Sequence, residues 1–369
     1  MRTARERNFA MRIMLKSALV PFLSGLLFSA SVDADVTVPQ FFPSLPPTAA
    51  LAPEVANDVS KQGYHVAEIN RSGTYLITDG GSQAWAILTQ SGVILVDVPE
   101  PLPFKPPLQV VPAIAKITDK PITHLIYSHA HSDHIGGAHT VVEAFPNVRI
   151  VAHKRTKEFL EQAKDPRRSV PHQAFEDALR LDVGGKQLEL SYHGNIHQEG
   201  NIWAYAPRER ILMVVDVIFP GWVPFRRLAV SGPEEVAGFM RGPDIALSFD
   251  FDVLVAGHNT RLGNRNDVLV QKRYLEDIVT SIEEIMNDPK TLATAVNAIE
   301  EVHGKGFAYQ PVAKWALYSA FYDASVTHCA NKLNAKYMKG PDALGGAETF
   351  NFSNCEAYFV ARRVGTHSH

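Results

Sequence analysis

The chain has 369 residues, with 36 Lys and Arg against 39 Asp and Glu and a formal net charge of -3. That length accommodates one large domain or two ordinary ones, and 46% hydrophobic residues suffice for a substantial core. The charges are spread along the chain without a long basic block. This excludes nucleic acid as the main partner, because phosphate binding needs clustered Lys and Arg.

In chain order, residues 1–34 are expected to be a signal peptide. Arg2, Arg5, Arg7, Arg12 and Lys16 precede an apolar stretch, 17–30, that Pro21 and Gly25 interrupt. It is short for a membrane span, and small residues before Ala34 suit a peptidase, so cleavage is expected near Ala34. Met11 carries its own basic and apolar run and is an alternative start; a retained anchor is the competing outcome. Cleavage gives a periplasmic or secreted protein without a membrane partner. Residues 35–70, with Pro39, Pro43, Pro46, Pro47 and Pro53, read as an extended, surface-lying lead-in.

Strand-like runs follow at 74–78, 84–88 and 93–98, then a Pro-rich loop and a helical stretch at 110–117. An apolar strand over 122–127 delivers the chain to His129-Ala130-His131-Ser132-Asp133-His134. Gly136 and Gly137 then allow a tight entry into a helix reaching Ala144. A strand is expected at 147–152, a helix at 155–163, and strands at 188–192, 202–205 and 211–215. A helix over 233–246 carries Glu234 and Glu235 in its first turn, where the macrodipole favours anions. A short buried strand at 252–256 ends the α/β body, placed over residues 71–262. Beyond Gly263 the periodicity is helical, notably over 268–286 and 312–330, so 263–369 is a helical extension.

Three imidazoles and a carboxylate within six residues are costly unless they bind something. Crowded imidazoles compete for protons, whereas a divalent metal pair accepts neutral imidazole and carboxylate together. Four more residues sit at or just beyond strand ends: Asp97, His197, Asp216 and His258. A sheet edge can present all of them to one cleft. His124, His153 and His193 read mainly as structural, the last two with a secondary prospect of touching substrate or ligands. His367 and His369 fall in a terminal tail.

At these residues the chain resembles the metallo-β-lactamase-fold hydrolases. Their H-x-H-x-D-H signature is matched by His129, His131, Asp133 and His134, and their downstream His, Asp and Gly-His by His197, Asp216 and Gly257-His258. The resemblance spans roughly 75–264. It implies an αββα sandwich with metals at one edge. It also implies two zinc ions, other divalent metals being possible. His129, His131 and His197 would hold one; Asp133, His134 and His258 the other; Asp216 would bridge them with a hydroxide. Asp97 would orient the histidine loop through hydrogen bonds without touching metal.

The activity implied is hydrolysis of an ester-like, lactone, thioester or cyclic amide bond in a small-molecule substrate by the bridging hydroxide, with Asp133 orienting that hydroxide and able to shuttle its proton. Asp216 matters to the choice: the resemblance associates Asp there with thioesterases, lactonases and phosphoesterases, and Cys or Ser with true β-lactamases. Export nonetheless suits antibiotic defence, so β-lactam hydrolysis is an alternative. A mononuclear iron sulfur dioxygenase is another, since two His and an Asp are present. Diiron relatives fit poorly because they carry Glu where this chain has His131, and a non-catalytic module would be expected to have lost ligands. The aromatics of 219–225, followed by Arg226 and Arg227, could wall a substrate pocket or pack on the C-terminal helices. Cys329 and Cys355 lie far from the histidines; in an oxidising compartment a disulfide is expected, worth roughly 3 kcal/mol, with two buried thiols as the alternative.

Overall fold

The structure, a computed structural model, describes residues 45–100 and 106–364. The signal peptide, its cleavage point, Pro39, Pro43, His367 and His369 lie outside these residues.

Residues 53–68 depart from the extended lead-in expected for them. They form α1 (Pro53–Gln62) and β1 (His65–Glu68). Pro53 occupies the first helical turn, where its missing N–H has no intrahelical partner to lose and its fixed φ suits the helix. Gly63 then ends the helix at φ 83°, a left-handed position that glycine adopts without strain.

The next strands are β2 (Thr74–Thr78), β3 (Gln83–Leu88) and β4 (Val93–Val96). After α2 (Val110–Ala115) comes β5 (Ile122–Ile126), then α3 (Ser132–Ile135) and α4 (Ala138–Ala144). β6 (Arg149–His153), α5 (Lys154–Ala163) and β7 (Gln173–Phe175) complete the first half. These seven strands form one sheet in sequence order, antiparallel from β1 to β4 and parallel from β4 to β7. The second sheet contains β8 (Ala178–Val183), β9 (Lys186–Tyr192), β10 (Ile202–Ala206) and β11 (Ile211–Val214). After α6 (Pro233–Ser248), β12 (Val253–Val255) adds parallel to β11, giving the order β12-β11-β10-β9-β8. Four longer helices follow: α7 (Arg265–Met286), α8 (Pro289–His303), α9 (Lys314–Tyr337) and α10 (Ala347–Ala361).

Strand alternation builds the layers. Ile94 and Val96 join Trp85, Ile202, Ala204 and Met213 in the core between the sheets. Their neighbours Val93 and Leu95 face outward, onto Ile114, Ile135 and Val141 of the α2–α4 region. On the second sheet Trp203, Leu212 and Val214 face outward onto Ala246 of α6 and Val268 of α7. Both faces of the central strands are therefore apolar and helix-covered, as parallel strands require. The architecture is the αββα sandwich with C-terminal helices.

Gln83 laces the two sheets. Fully buried on β3, it donates through its backbone N–H to the Gly257 carbonyl at 2.7 Å, and its amide bonds Asn259 and Arg261 carbonyls and the Ala256 N–H. The residues after β12 are thus anchored on the opposite sheet, immediately beside His258.

In the extension, Cys329 of α9 and Cys355 of α10 form the expected disulfide, with Cα atoms 6.0 Å apart. They sit in an apolar cluster with Tyr274 and Ile278 of α7 and with Phe219, Val223 and Leu228 from the α/β body.

Candidate metal centre

Every ligand candidate lies at one edge of the sandwich, where strand ends release the chain. His129 and His131 follow β5; Asp133 and His134 lie in the single turn α3; His197 lies between β9 and β10; Asp216 follows β11 and His258 follows β12. The parallel pairs β4–β5 and β11–β12 place their C-terminal ends side by side, so residues distant in sequence share this edge. Asp97 and Asp216, each leaving a strand, take left-handed φ values of 64° and 61°. That region is uncommon for side-chain-bearing residues, but Asp tolerates it.

The structure brings all seven ligand candidates together, in two groups that share Asp216. One is His129, His131, His197 and Asp216; the other is Asp133, His134, Asp216 and His258, each with donor atoms within 4.8 Å of one another. His197 Nε2 lies 3.1 Å from His131 Nδ1 and 3.3 Å from Asp216 Oδ2. His134 Nε2 lies 3.0 Å from Asp216 Oδ2, and His258 Nε2 is 3.3 Å from both Asp133 Oδ2 and Asp216 Oδ1.

The donor set fits divalent cations. His129 Nε2 and Asp216 Oδ1 are buried without a hydrogen-bond partner, an arrangement that is costly unless something electropositive meets those lone pairs. Burial and the neighbouring imidazoles of His134, His131 and His197 push the His129 pKa well down, and burial with His197 brings His131 to about 4. Both rings are therefore neutral donors at pH 7. Burial alone would raise the Asp216 carboxyl, but His134, His258 and His197 hold it well below the usual carboxylate range. The same opposition operates at Asp133, where the His258 hydrogen bond and His134 prevail and lower it. His134 differs from His129 and His131: burial would discharge it, yet Asp216 and Asp133 raise it to about 9. A bound cation would replace that proton as the partner of the two carboxylates.

The opposite edge of most rings is also held, which fixes which nitrogen faces the centre. His129 Nδ1 pairs with Ser128 Oγ at 3.0 Å, His258 Nδ1 with the Gly81 carbonyl at 3.3 Å, and His197 Nδ1 with the Ala229 carbonyl. Asp97, fully buried, accepts the Ser128 N–H at 2.8 Å and keeps its other oxygen 3.9 Å from His134 Nδ1. Burial pushes its carboxyl up to about 6, against the pull of His134 and Ser128.

His153 Nε2 donates to the Glu176 carbonyl at 2.7 Å and the ring stacks on Tyr192; His193 stands edge-on to Trp203 and beside Ser191. His124 pairs with Thr123 on β5. None of the three joins the cluster. The aromatics of 219–225 divide: Phe219 is buried in the helical core, whereas half-buried Phe225 lies 5.5 Å from the His258 ring and 5.7 Å from Phe350 of α10. Arg226 and Arg227 are exposed on the same loop.

Several supporting groups carry no sequence signature. Arg168 donates to the Ala130 carbonyl inside the histidine loop at 2.6 Å, and Arg167 bonds both oxygens of Glu100 at 2.8 Å. Gly136 lets Glu100 approach, since a Cβ there would lie 2.4 Å from Glu100 Oε2. The backbone carbonyls of Ala229 and Gly81 are unreadable from residue type; only the adjacent Gly80-Gly81 pair hints at a special turn.

Comparison with known proteins agrees with this geometry. The family model described as the metallo-beta-lactamase superfamily matches residues 77–258. The alpha subunit of 2,4-dinitroanisole O-demethylase from Nocardioides sp. (strain JS1661) is 29% identical over 215 residues, covering 53% of this chain and 58% of that protein. Metallo-beta-lactamase type 2 from Bacillus cereus is 30% identical over 131 residues, covering 36% of this chain and 48% of that protein. The chain thus spans about half the length of these curated relatives. A solved metallo-beta-lactamase from Pontibacter korlensis superposes with a TM-score of 0.48 at 18% identity, over 58% of this chain and 99% of that one. Through residues 77–258, which contain all seven converging His and Asp side chains, this chain belongs to the metallo-beta-lactamase superfamily.

Proposed function

We propose that the chain is an exported dinuclear zinc hydrolase that opens an ester-like, lactone, thioester or cyclic amide bond in a small-molecule substrate. The observation that carries this reading is the convergence of six His and Asp side chains from both sheets around one shared carboxylate, Asp216, with His129 Nε2 and Asp216 Oδ1 buried and without a hydrogen-bond partner. Divalent zinc, when bound, lowers the pKa of water toward 7 and polarises a carbonyl oxygen.

The protein's own groups do the rest. Asp133 reaches solvent, its side chain 38% exposed, and its Oδ2 faces His258. It would orient the attacking hydroxide and shuttle its proton to the leaving group through the carboxylate oxygen turned away from His258. Phe225 and Phe350 offer an apolar wall beside His258, and Arg226 and Arg227 would favour a substrate with an acidic group. Export is supported by the Cys329–Cys355 bridge, which persists in oxidising compartments. No helix among the described residues is long and apolar enough to cross a membrane.

The purified chain should be assayed for bound metal and screened against nitrocefin, lactones, thioesters, aryl esters, phosphodiesters and 2,4-dinitroanisole. Oxygen uptake on a persulfide should be followed in parallel. Stoichiometric zinc and turnover of an acyl substrate, abolished in His131→Ala, are expected. Iron with oxygen consumption would favour the sulfur dioxygenase alternative, and dominant nitrocefin turnover the β-lactamase one. A preparation that takes up no transition metal would overturn all three.

A further inference from the structure

The loop that positions His197 is held in place by the C-terminal helix α10. His197 is buried, and its Nδ1 donates to the Ala229 carbonyl, which leaves Nε2 as the atom facing His131 and Asp216. Ala229 reaches that position through three consecutive left-handed residues: Arg227, Leu228 and Ala229 have φ of 59°, 61° and 56°. None is glycine, Asn or Asp, so this stretch is unfavourable on its own and persists only if its surroundings enforce it.

The enforcing groups are on α10. Asn354 Oδ1 accepts the Leu228 N–H at 2.8 Å, and Asn354 Nδ2 donates to the Pro224 carbonyl at 2.8 Å and to the Tyr274 hydroxyl at 3.0 Å. Ser353 Oγ accepts the Arg227 N–H at 3.2 Å. Asn354 is fully buried and every bonding direction it uses is occupied within the protein. The next residue, Cys355, ties α10 to α9 through the disulfide. The segment before α10 is fastened too: the Val223 N–H meets the Gly345 carbonyl at 3.1 Å, and the Gly345 N–H meets the Gly221 carbonyl at 2.9 Å.

We infer that Asn354 is a positioning residue for the metal centre, acting through the Leu228–Ala229 backbone on the His197 ring. This rests on the metal-centre reading above and adds that the helical extension, which lies outside the matched family region, is part of what builds the site. Groups that orient a ligating histidine typically change metal affinity by about 10–100-fold when removed. The effect here should fall on the group containing His129, His131 and His197, and spare the group containing Asp133, His134 and His258.

The test uses the full chain, titrated with zinc against a chromophoric chelator and with cobalt for its visible spectrum. Asn354→Ala is compared with Asn351→Ala, one turn earlier on α10, whose amide bonds only Tyr274 and Asn334 at 2.9 Å each. Both variants lose a buried polar group of the same helix. Asn354→Ala should weaken one of two bound ions at least about ten-fold and alter the cobalt spectrum, while Asn351→Ala melts lower but binds both ions as wild type does. Ser353→Ala, a milder change, should show the same one-ion weakening if Asn354→Ala does not fold. Equal affinities in Asn354→Ala or Ser353→Ala and wild type, or an equal loss in Asn351→Ala, would overturn the inference. Failure of wild type itself to bind metal would instead overturn the reading of the centre.

Discussion

Replacing Gly238 of α6 by Ala sets helix propensity against packing at the His197 loop. On propensity alone the change favours the helix by about 1 kcal/mol. The surroundings decide otherwise. A Cβ on Gly238 would lie 2.0 Å from the Asn195 carbonyl oxygen and 3.0 Å from Ile196 Cα. Both are main-chain atoms, so no side chain can rotate away. Restoring an ordinary contact of 3.4 Å requires α6 and the 195–197 backbone to separate by about 1.4 Å. Overpacking of this kind costs about 1–3 kcal/mol, and backbone meeting backbone belongs at the upper end. The net effect should be a loss of about 2 kcal/mol, a fall in melting temperature of about 3 °C for a chain of this size. His197, two residues beyond Asn195, moves with the loop. A displacement near 1 Å at a reactive centre can lower turnover about 100-fold. Thermal melting, zinc stoichiometry and kcat/KM on any identified substrate measure the three consequences. A Gly238→Ala protein that melts at or above the wild-type temperature with its full metal complement would refute the steric argument.

Three further outcomes are expected. Chelation should lower the melting temperature and zinc should restore it, by about 2.7 kcal/mol when free zinc stands at 100 times its Kd; melting indifferent to both would show that nothing binds the cluster. Asp97→Ala should cost about 1–3 kcal/mol by leaving the buried Ser128 N–H without an acceptor, whereas Asp97→Asn retains that bond; equal urea midpoints for the two variants would contradict this assignment. A Cys329→Ser, Cys355→Ser double variant should lose about 3.5 kcal/mol, the loop-closure value for a separation of 26 residues, and a urea midpoint equal to that of the oxidised wild type would argue against it.

The centre was legible because metal ligation demands particular atoms and the chain concentrates them. His129 to His134 announce themselves within six residues, and Asp97, Asp216 and His258 each terminate or follow an unbroken apolar run of the kind that reads as a buried strand. Elements with weaker patterns were missed. β8 is an edge strand carrying Arg180 and Asp182 among its outward residues, and β7 has only three residues. α1 hid behind Pro53, which serves as a helix starter. α10, by contrast, falls inside the helical extension expected over 263–369; its Asn and Phe residues have modest helix propensity, and its packing on α7 and α9 outweighs that preference. The Ala229 carbonyl and the Asn354 amide were beyond reach for another reason: one is backbone, and the other is meaningful only through a turn that residue types disfavour.

The division of donors between the two layers bears on how the protein matures. Four of the seven arise before residue 135 and three after residue 196, and Gln83 clasps the strand end from which the last of them departs. A nascent polypeptide halted anywhere short of Gly257 would display an imidazole-rich turn yet lack a closed cage. A cation pair held by all seven side chains would therefore bind only after both layers have docked.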